Sequence, residues 1–302
     1  MAEKIYKDSS DTVLSVSIII PVFNDQLGLN KCLKAISLQS YPTDSIEVIV
    51  VDNGSAIPIV LADINTLKIT LTQCATPGSY AARNTGVKIA TGDVFCFIDA
   101  DCWPDENWLR SALNTLREHK GNGIVGGEVK IIKPENPTSV ALYQHITGFD
   151  QENNIAHKGF SATANIICLR SQFERVGFYS ETLLSGGDRE WCWRAIANGL
   201  SIIYEPKSIV YTEPRTTLRS AIIQARRVTA GRKMLHCLNM THVSEKNLAK
   251  KRTPWQAITW ILSRKELSIW ERLRVVCVAS IIRTAEMLET IKLTLGSKAE
   301  RR

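Results

Sequence analysis

Nowhere in its 302 residues does this sequence hold the 18 or so consecutive apolar residues that a membrane-spanning helix needs. The longest late apolar run, Val275 to Ile282, is short and is interrupted by Ser280. The first residues, Met1 to Asp8, contain no apolar core of the signal-peptide kind, so a cytoplasmic address is the expectation. Eight cysteines, at 32, 74, 96, 102, 168, 192, 237 and 277, form no Cys-x-x-Cys pair. Several sit in apolar runs, as Cys96 does, which predicts reduced, buried thiols rather than disulfides or a zinc site. The five histidines, at 119, 145, 157, 236 and 242, have no ligand spacing and read as surface or loop residues. Internal repeats and low-complexity tracts are also missing.

What is present is ordinary in bulk and uneven in charge. Hydrophobic residues make up 44% and charged residues 22%, values typical of a globular protein. From Pro214 onward there are 19 Lys and Arg against 6 Asp and Glu, whereas the preceding residues carry 18 against 24. The net charge of +7 therefore joins an acidic body to a basic tail. Such a tail suits an anionic partner, whether membrane surface, phosphate-bearing lipid or nucleic acid. A solvated helical face is the plainer alternative.

The apolar pattern predicts strands at Val16 to Ile20, stopped by Pro21, and at Ile46 to Val51, ended by Asp52-Asn53-Gly54. Further strands are expected at Lys68 to Thr72, Val94 to Ile98, Ile124 to Ile132 and Thr163 to Leu169. Leu29, Cys32, Leu33 and Ile36 recur at helical spacing, and another helix is expected from about Tyr80 to Ala90. Pro104-Asp105-Glu106 reads as the opening turn of a helix through Glu118. A helix following Asp188 closes at Asn198-Gly199. Alternating helices and continuously apolar strands predict an α/β fold with a mostly parallel, Rossmann-like sheet covered by helices on both faces. Ligands of such sheets bind beyond the carboxyl ends of the strands. That rule selects Pro21 to Asn24, Asp52 to Ser55, and Asp99 to Asp101.

Asp99 and Asp101 place two carboxylates at a rigid strand end, a hard-oxygen set suited to Mn²⁺ or Mg²⁺. Asp-x-Asp by itself is also a common acidic turn. The order of the motifs is more specific. Pro21-Val22-Phe23-Asn24, Val51-Asp52-Asn53-Gly54-Ser55, Ala82-Arg83-Asn84-Thr85-Gly86 and Phe97-Ile98-Asp99-Ala100-Asp101 follow one another on successive elements. The set resembles the nucleotide-binding half of the family 2 glycosyltransferases, which have the GT-A fold. Ser161-Ala162-Thr163-Ala164-Asn165-Ile166 to Arg170, Val176-Gly177-Phe178 and Gly186-Gly187-Asp188-Arg189-Glu190 resemble that family's acceptor half. Together they span about 15 to 232.

The resemblance implies an inverting, metal-dependent transfer of sugar from a nucleotide-diphospho-sugar, UDP-linked by preference, to a glycan or lipid-linked acceptor. Under it, Pro21, Val22, Phe23, Asn24 and Ala100 line the donor site, and Asp52 accepts an N–H of a uracil-like base. Arg83 meets base or phosphate, Asp99 faces ribose or metal, and Asp101 is the principal ligand of Mn²⁺ or Mg²⁺. Asp188 is the general base for the acceptor hydroxyl. Arg226, Arg227 and Arg232 reach toward the diphosphate, with Arg227 placed in the donor site. Each role has a structural counterpart: a turn-forming Asp52, an exposed helical Arg83, an N-capping Asp188 and a basic helical face for the three arginines. Trp103, Trp108, Trp191 and Trp193 serve either sugar stacking or the core.

Three departures from the family pattern stand out. Gly187 replaces a frequent glutamate before the aspartate, and no histidine lies at Ile209 to Thr212, where many members place a metal ligand. Val228 replaces the tryptophan of the Gln-x-x-Arg-Trp signature in Gln224-Ala225-Arg226-Arg227-Val228, which argues against a processive synthase. The expected organisation is a catalytic domain over 1–213, with halves at about 15–105 and 106–213, followed by a helical basic region over 214–302. In that region Trp255, Trp260 and Trp270 among Arg264, Lys265, Arg272 and Arg274 suit a peripheral membrane interface. Internal packing or a dimer contact is the alternative. A sugar-nucleotide pyrophosphorylase would need a Gly- and Arg-rich loop where Pro21 to Asp25 stands. A non-catalytic binder of nucleic acid leaves the four aspartates without a role.

Overall fold

The computed structural model describes residues 13–61, 63–183, 185–237 and 253–297. His242 and the first twelve residues lie outside them. The chain divides into two compact units: Met1–Lys130, Asp150–Thr182 and Gly187–Thr212 in the first, and Ile131–Phe149, Leu183–Gly186 and Glu213–Arg302 in the second.

The first unit is built on one eight-stranded sheet. Strands β1 (Val16–Val22), β2 (Ile46–Asp52), β3 (Lys68–Gln73) and β4 (Val94–Phe97) pair in parallel in the order β3-β2-β1-β4. Beyond β4 come β7 (Ile166–Leu169), β6 (Gly123–Ile131), β8 (Ser201–Thr212) and β5 (Cys102–Pro104). Here β7 runs antiparallel to β4 and β6, and β5 antiparallel to β8. The continuously apolar runs became buried strands, with Ile18, Ile19, Ile20, Val48 and Val50 fully enclosed.

Three boundaries differ from the sequence reading: Thr163–Asn165 form a 3-10 turn, so that β7 begins only at Ile166, and two prolines depart from expectation. Pro21 does not stop β1, which continues to Val22 and pairs Pro21 with Val51. Residues of one parity turn toward β4, where the Ile19 carbonyl accepts from Ile98, while Val22 turns toward β2 and accepts from Asn53. The missing N–H of Pro21 thus faces the β4 side, where pairing has already ended at Ile19 with Phe97. Pro104 opens no helix. It belongs to β5, opposite Val210, and the helix begins only at Trp108.

Helices α1 (Gln26–Ile36), α2 (Ser79–Ile89), α3 (Trp108–Glu118), α5 (Gln151–Lys158), α6 (Arg170–Val176) and α7 (Gly187–Ala197) complete this unit, α4 belonging to the second. Asp25 caps α1 by accepting the Gly28 N–H at 2.9 Å, and Leu29, Cys32, Leu33 and Ile36 form its buried stripe as expected. Gly86 allows α2 to lie close against the sheet, since a Cβ there would stand 2.7 Å from an Ile19 methyl. Trp108 and Trp191 are fully buried and Trp193 nearly so, which makes them core residues.

Asn165 is the polar knot of this core. Its Nδ2 donates to the carbonyls of Glu128 (2.9 Å) and Ser208 (2.8 Å), and its Oδ1 accepts the Trp108 indole N–H at 2.8 Å.

The second unit packs α4 (Ser139–Thr147), α8 (Leu218–Cys237), α9 (Pro254–Leu262) and α10 (Ile269–Thr294) around two apolar clusters. The Gln144 carboxamide donates to Gln224 Oε1 of the Gln-x-x-Arg segment at 2.9 Å and accepts the Arg215 N–H at 2.7 Å. All eight cysteines are free, but Cys237 and Cys277 are exposed, against the expectation of burial throughout. His157 and His236 are exposed on helices, as surface residues were expected to be, whereas His145 is half-buried against the Ile131 carbonyl at 2.8 Å.

Asn165→Leu removes three hydrogen bonds from the core and should cost about 3 kcal/mol. A urea unfolding curve checks this, with a lowered midpoint and an unchanged slope.

Candidate active site

The parallel strands deliver their carboxyl ends to one edge, and their side chains tie the loops there together. Asn24, held at φ 53°, donates its N–H to Ser55 Oγ at 2.8 Å and accepts from the Ala56 N–H at 2.7 Å, joining the loop after β1 to that after β2. Asp52, buried at the end of β2, accepts the Ser55 N–H at 2.9 Å and so performs its turn-forming role. Asn53 donates to the carbonyls of Cys74 and Thr76 and accepts from Gly78, which fixes the approach to α2. Val22 is buried, Pro21 half-buried and Phe23 exposed.

Arg83 on α2 is buried, not exposed, at 2% accessibility. Its Nη2 donates to Asp99 Oδ1, while its Nε has no hydrogen-bond partner among the described residues. Asp99 is half-exposed and Asp101 exposed, with the small buried Ala100 between them. One ligand atom from each of Asp99, Asp101 and Cys102 lies within 4.8 Å of the others. Burial, followed by the charges of Asp101 and Asp99, pushes the Cys102 thiol well up, so it stays protonated. The usable donors are the two carboxylates, whose hard oxygens fit Mn²⁺ or Mg²⁺. Thr212, paired with Cys102, donates to the Asp101 carbonyl at 3.1 Å. The stretch where a histidine was sought thus reaches the acidic pair, carrying a hydroxyl instead.

Asp188 reaches this edge by a different route. It lies in the first turn of α7, and its Oδ1 accepts the N–H of Arg189 at 2.8 Å. Side-chain contacts hold α7, among them the Trp193 indole donating to the Lys158 carbonyl at 2.9 Å. Glu190 pairs with Arg194, Arg194 donates to the Val176 carbonyl at 2.6 Å, and the Trp191 indole donates to Gly177 at 2.8 Å. The segment that follows is bound to α2 by Asn84, which donates to the Tyr179 carbonyl and accepts the Tyr179 N–H, both at 2.9 Å. Tyr179 sits among Tyr80, Phe97, Phe173 and Trp191. The Tyr80 hydroxyl stands 3.3 Å from the Asp188 N–H and 3.5 Å from its Oδ1.

Burial raises the Asp188 carboxyl above the usual carboxylate range, and Asp99 adds to it. The Arg189 N–H, then the Arg189 and Arg83 guanidinia, oppose the shift. Gly187 has a steric reason: a Cβ there would meet the Tyr80 ring at 2.7 Å. The ring fills space that a side chain at 187 would take.

The sequence reading did not single out Tyr80, Asn53, Thr212 or the clamp role of Asn84. Asn84 and Asn53 lay inside recognised motifs, whereas nothing in the sequence marks Tyr80 as a neighbour of Asp188. Trp103 is half-buried, with the Lys31 ammonium 3.3 Å over its ring and Tyr211 stacked beside it. Arg226, Arg227 and Arg232 lie on α8 of the second unit, where Arg227 is exposed and Arg232 pairs with Glu286 at 3.6 Å.

The fold is shared with solved GT-A glycosyltransferases. The mannosyltransferase PcManGT of Pyrobaculum calidifontis, solved with GDP-Man and Mn²⁺, superposes with a TM-score of 0.58 over 98% of this chain and 93% of that one, at 18% identity. S. aureus TarS residues 1–349, solved with UDP-GlcNAc, gives 0.54 over 95% and 93%, also at 18% identity. The fold class is therefore GT-A. Residues 17–177 match the model of glycosyl transferase family 2, and the chain belongs to that family. Glycosyltransferase AglE of Haloferax volcanii is 35% identical over 201 residues, which cover 65% of this chain and 66% of that protein. The pre-mycofactocin glycosyltransferase of Mycobacterium tuberculosis is 32% identical over 217 residues, covering 68% and 44%. The chain thus spans just under two thirds of the first relative and less than half of the second.

Because Asp188 binds its proton more tightly in the folded chain, losing it costs folding free energy. That cost is absent below the ordinary carboxylate pKa and complete above the raised one. Asp188→Asn should therefore raise the melting temperature at pH 7, with the gain vanishing in acid, as a pair of thermal scans would show. Gly187→Ala should destabilise by about 1–3 kcal/mol through its clash with Tyr80. Combining it with Tyr80→Leu should recover part of that loss in the same unfolding assay.

Proposed function

We propose that this family 2 glycosyltransferase moves a sugar from a nucleotide-diphospho-sugar, UDP-linked by preference, to an acceptor hydroxyl with inversion and without processive extension. The proposed setting is the synthesis of surface polysaccharide, glycolipid or lipid-linked glycan of the bacterial type. One observation carries the reading: Asp99 and Asp101 stand beyond β4 with Arg83 bound to Asp99, and a carboxyl of raised proton affinity, Asp188, stands beside Tyr80 on the same helix as Arg83. The donor-bound states of PcManGT and TarS support a nucleotide-sugar donor.

In this reading Pro21, Val22, Phe23, Asn24 and Ala100 form the donor-facing surface. Asp52 spends one carboxylate oxygen on its turn and offers the other to a base N–H. Arg83 orients Asp99, and Asp99 and Asp101 hold Mn²⁺ or Mg²⁺. An ion held by these two carboxylates would supply charge neutralisation for the diphosphate. Asp188 takes the proton of the acceptor hydroxyl as that oxygen bonds to the anomeric carbon and the bond to the diphosphate oxygen breaks on the opposite face. A raised pKa brings this base nearer to neutrality, where proton transfer is most effective. A single carboxylate base suffices, unlike the paired carboxylates of glycoside hydrolysis.

A screen of UDP-, GDP- and dTDP-sugars for Mn²⁺- or Mg²⁺-dependent hydrolysis and thermal stabilisation tests this function. At least one donor should act; if none binds with either ion, the reading fails. Asp101→Asn should abolish the metal-dependent stabilisation. Asp188→Asn should keep it and lower transfer by about 100-fold or more.

A further inference from the structure

The last helix of the second unit has two apolar faces, and only one is packed. Val275, Val278, Ile282 and Ala285 of α10 are buried, the first three of them in the unit's apolar clusters. At about 100° per residue, Ile269, Leu273, Ile281, Leu288, Ile291 and Leu295 fall within an arc of roughly 120° on the other side. All six are exposed, from 43% for Ile281 to 81% for Leu295. Trp270, 76% exposed, lies in the same arc, and Trp255 on α9 is 73% exposed. The stripe runs for 26 residues, or about 39 Å.

The charges of α10 are sorted around this stripe. Arg274 and Lys292 lie along one border and Arg272 and Arg283 along the other, by the same helical geometry. The three acids, Glu271, Glu286 and Glu289, all lie on the packed side. Glu289 is buried, and Glu286 pairs with Arg232 and Arg283. The outward arc carries no carboxylate: beside its apolar side chains and tryptophan it holds Cys277 and the hydroxyls of Ser280 and Thr284, which are bound to helix carbonyls, and cations line its borders. A helix of this pattern lies in the plane of a bilayer interface, with its rings at headgroup depth and its cations against lipid phosphates. It does not span: no helix among the described residues is long and apolar enough to cross a membrane. A two-fold contact with a second copy would instead set these cationic borders near one another, offset only by acids such as Glu286 that already pair within the helix.

We propose that the outward face of α10, with Trp270, docks flat on a bilayer containing anionic phospholipid. The docking stands apart from the chemistry of the site. Combined with the glycosyltransferase reading, on which this second step rests, it makes the acceptor a membrane-anchored glycan or lipid.

Flotation of the full chain with vesicles tests the docking. The chain should float with phosphatidylcholine vesicles containing about 30% phosphatidylglycerol and bind pure phosphatidylcholine roughly tenfold less. Binding should weaken several-fold between about 50 and 500 mM NaCl. Ile281→Glu with Leu288→Glu should reduce flotation at least about tenfold while donor hydrolysis persists. Arg274→Glu with Lys292→Glu, which leaves the apolar stripe intact, should lower binding to the level of pure phosphatidylcholine. If circular dichroism shows the first variant misfolded, the charge-reversed one decides. The proposal is overturned if the chain stays unbound to anionic vesicles at low salt, or if both variants float like the parent. It is equally overturned if sedimentation shows a dimer that Ile281→Glu with Leu288→Glu dissociates. Binding without donor turnover would leave the docking intact and remove only the acceptor assignment.

Discussion

The reciprocal pairing of the Asn84 carboxamide with the backbone of Tyr179 is the contact on which the candidate site depends. It is made of two hydrogen bonds in a buried setting, and the same carboxamide also donates to Glu181 at 2.9 Å. Through it the helix that carries Tyr80 and Arg83 is fixed to the segment leading into α7. Tyr179 then seats its ring among Tyr80, Phe97, Phe173 and Trp191, so that a polar clamp and an aromatic cluster enforce the same register. Asp188 comes to rest beside Tyr80 as a consequence, 108 residues away along the chain.

Electrostatics within this frame separates the aspartates by environment. Asp99 is held by Arg83, Asp101 faces outward with its carbonyl bound by Thr212, and Asp188 is desolvated enough to hold its proton more tightly than an ordinary carboxyl. Carboxylates of one residue type thereby come to differ in exposure, pairing and proton affinity. The burial that raises the proton affinity of Asp188 also opposes folding once the group is charged. Raised proton affinity at Asp188 and a fully stabilised fold pull in opposite directions here.

The second unit follows another logic. Its packing is conventional, with apolar clusters and a Gln144–Gln224 carboxamide pair, yet its longest helix leaves a continuous apolar stripe uncovered. The positive charge seen in the composition is arranged along the borders of that stripe, which gives the charge asymmetry a geometry.

The sequence by itself determined the strands, because continuous apolar runs such as Val16 to Ile20 and Ile46 to Val51 have only a two-sided sheet to occupy. It also determined which residues end those strands, and so put Asp52, Asp99 and Asp101 on one edge. Local pattern failed where partners decide. Pro21 continues its strand because the neighbour on its N–H side has already ended, and Pro104 joins β5 because β8 arrives beside it. Tertiary structure alone decided that Arg83 is buried on Asp99 rather than exposed on its helix. It alone brought Tyr80 to Asp188 and made glycine necessary at 187, since the ring fills that space. Period and punctuation are written along the chain and can be read there. Desolvation, and contact between residues a hundred positions apart, arise only when the chain closes on itself.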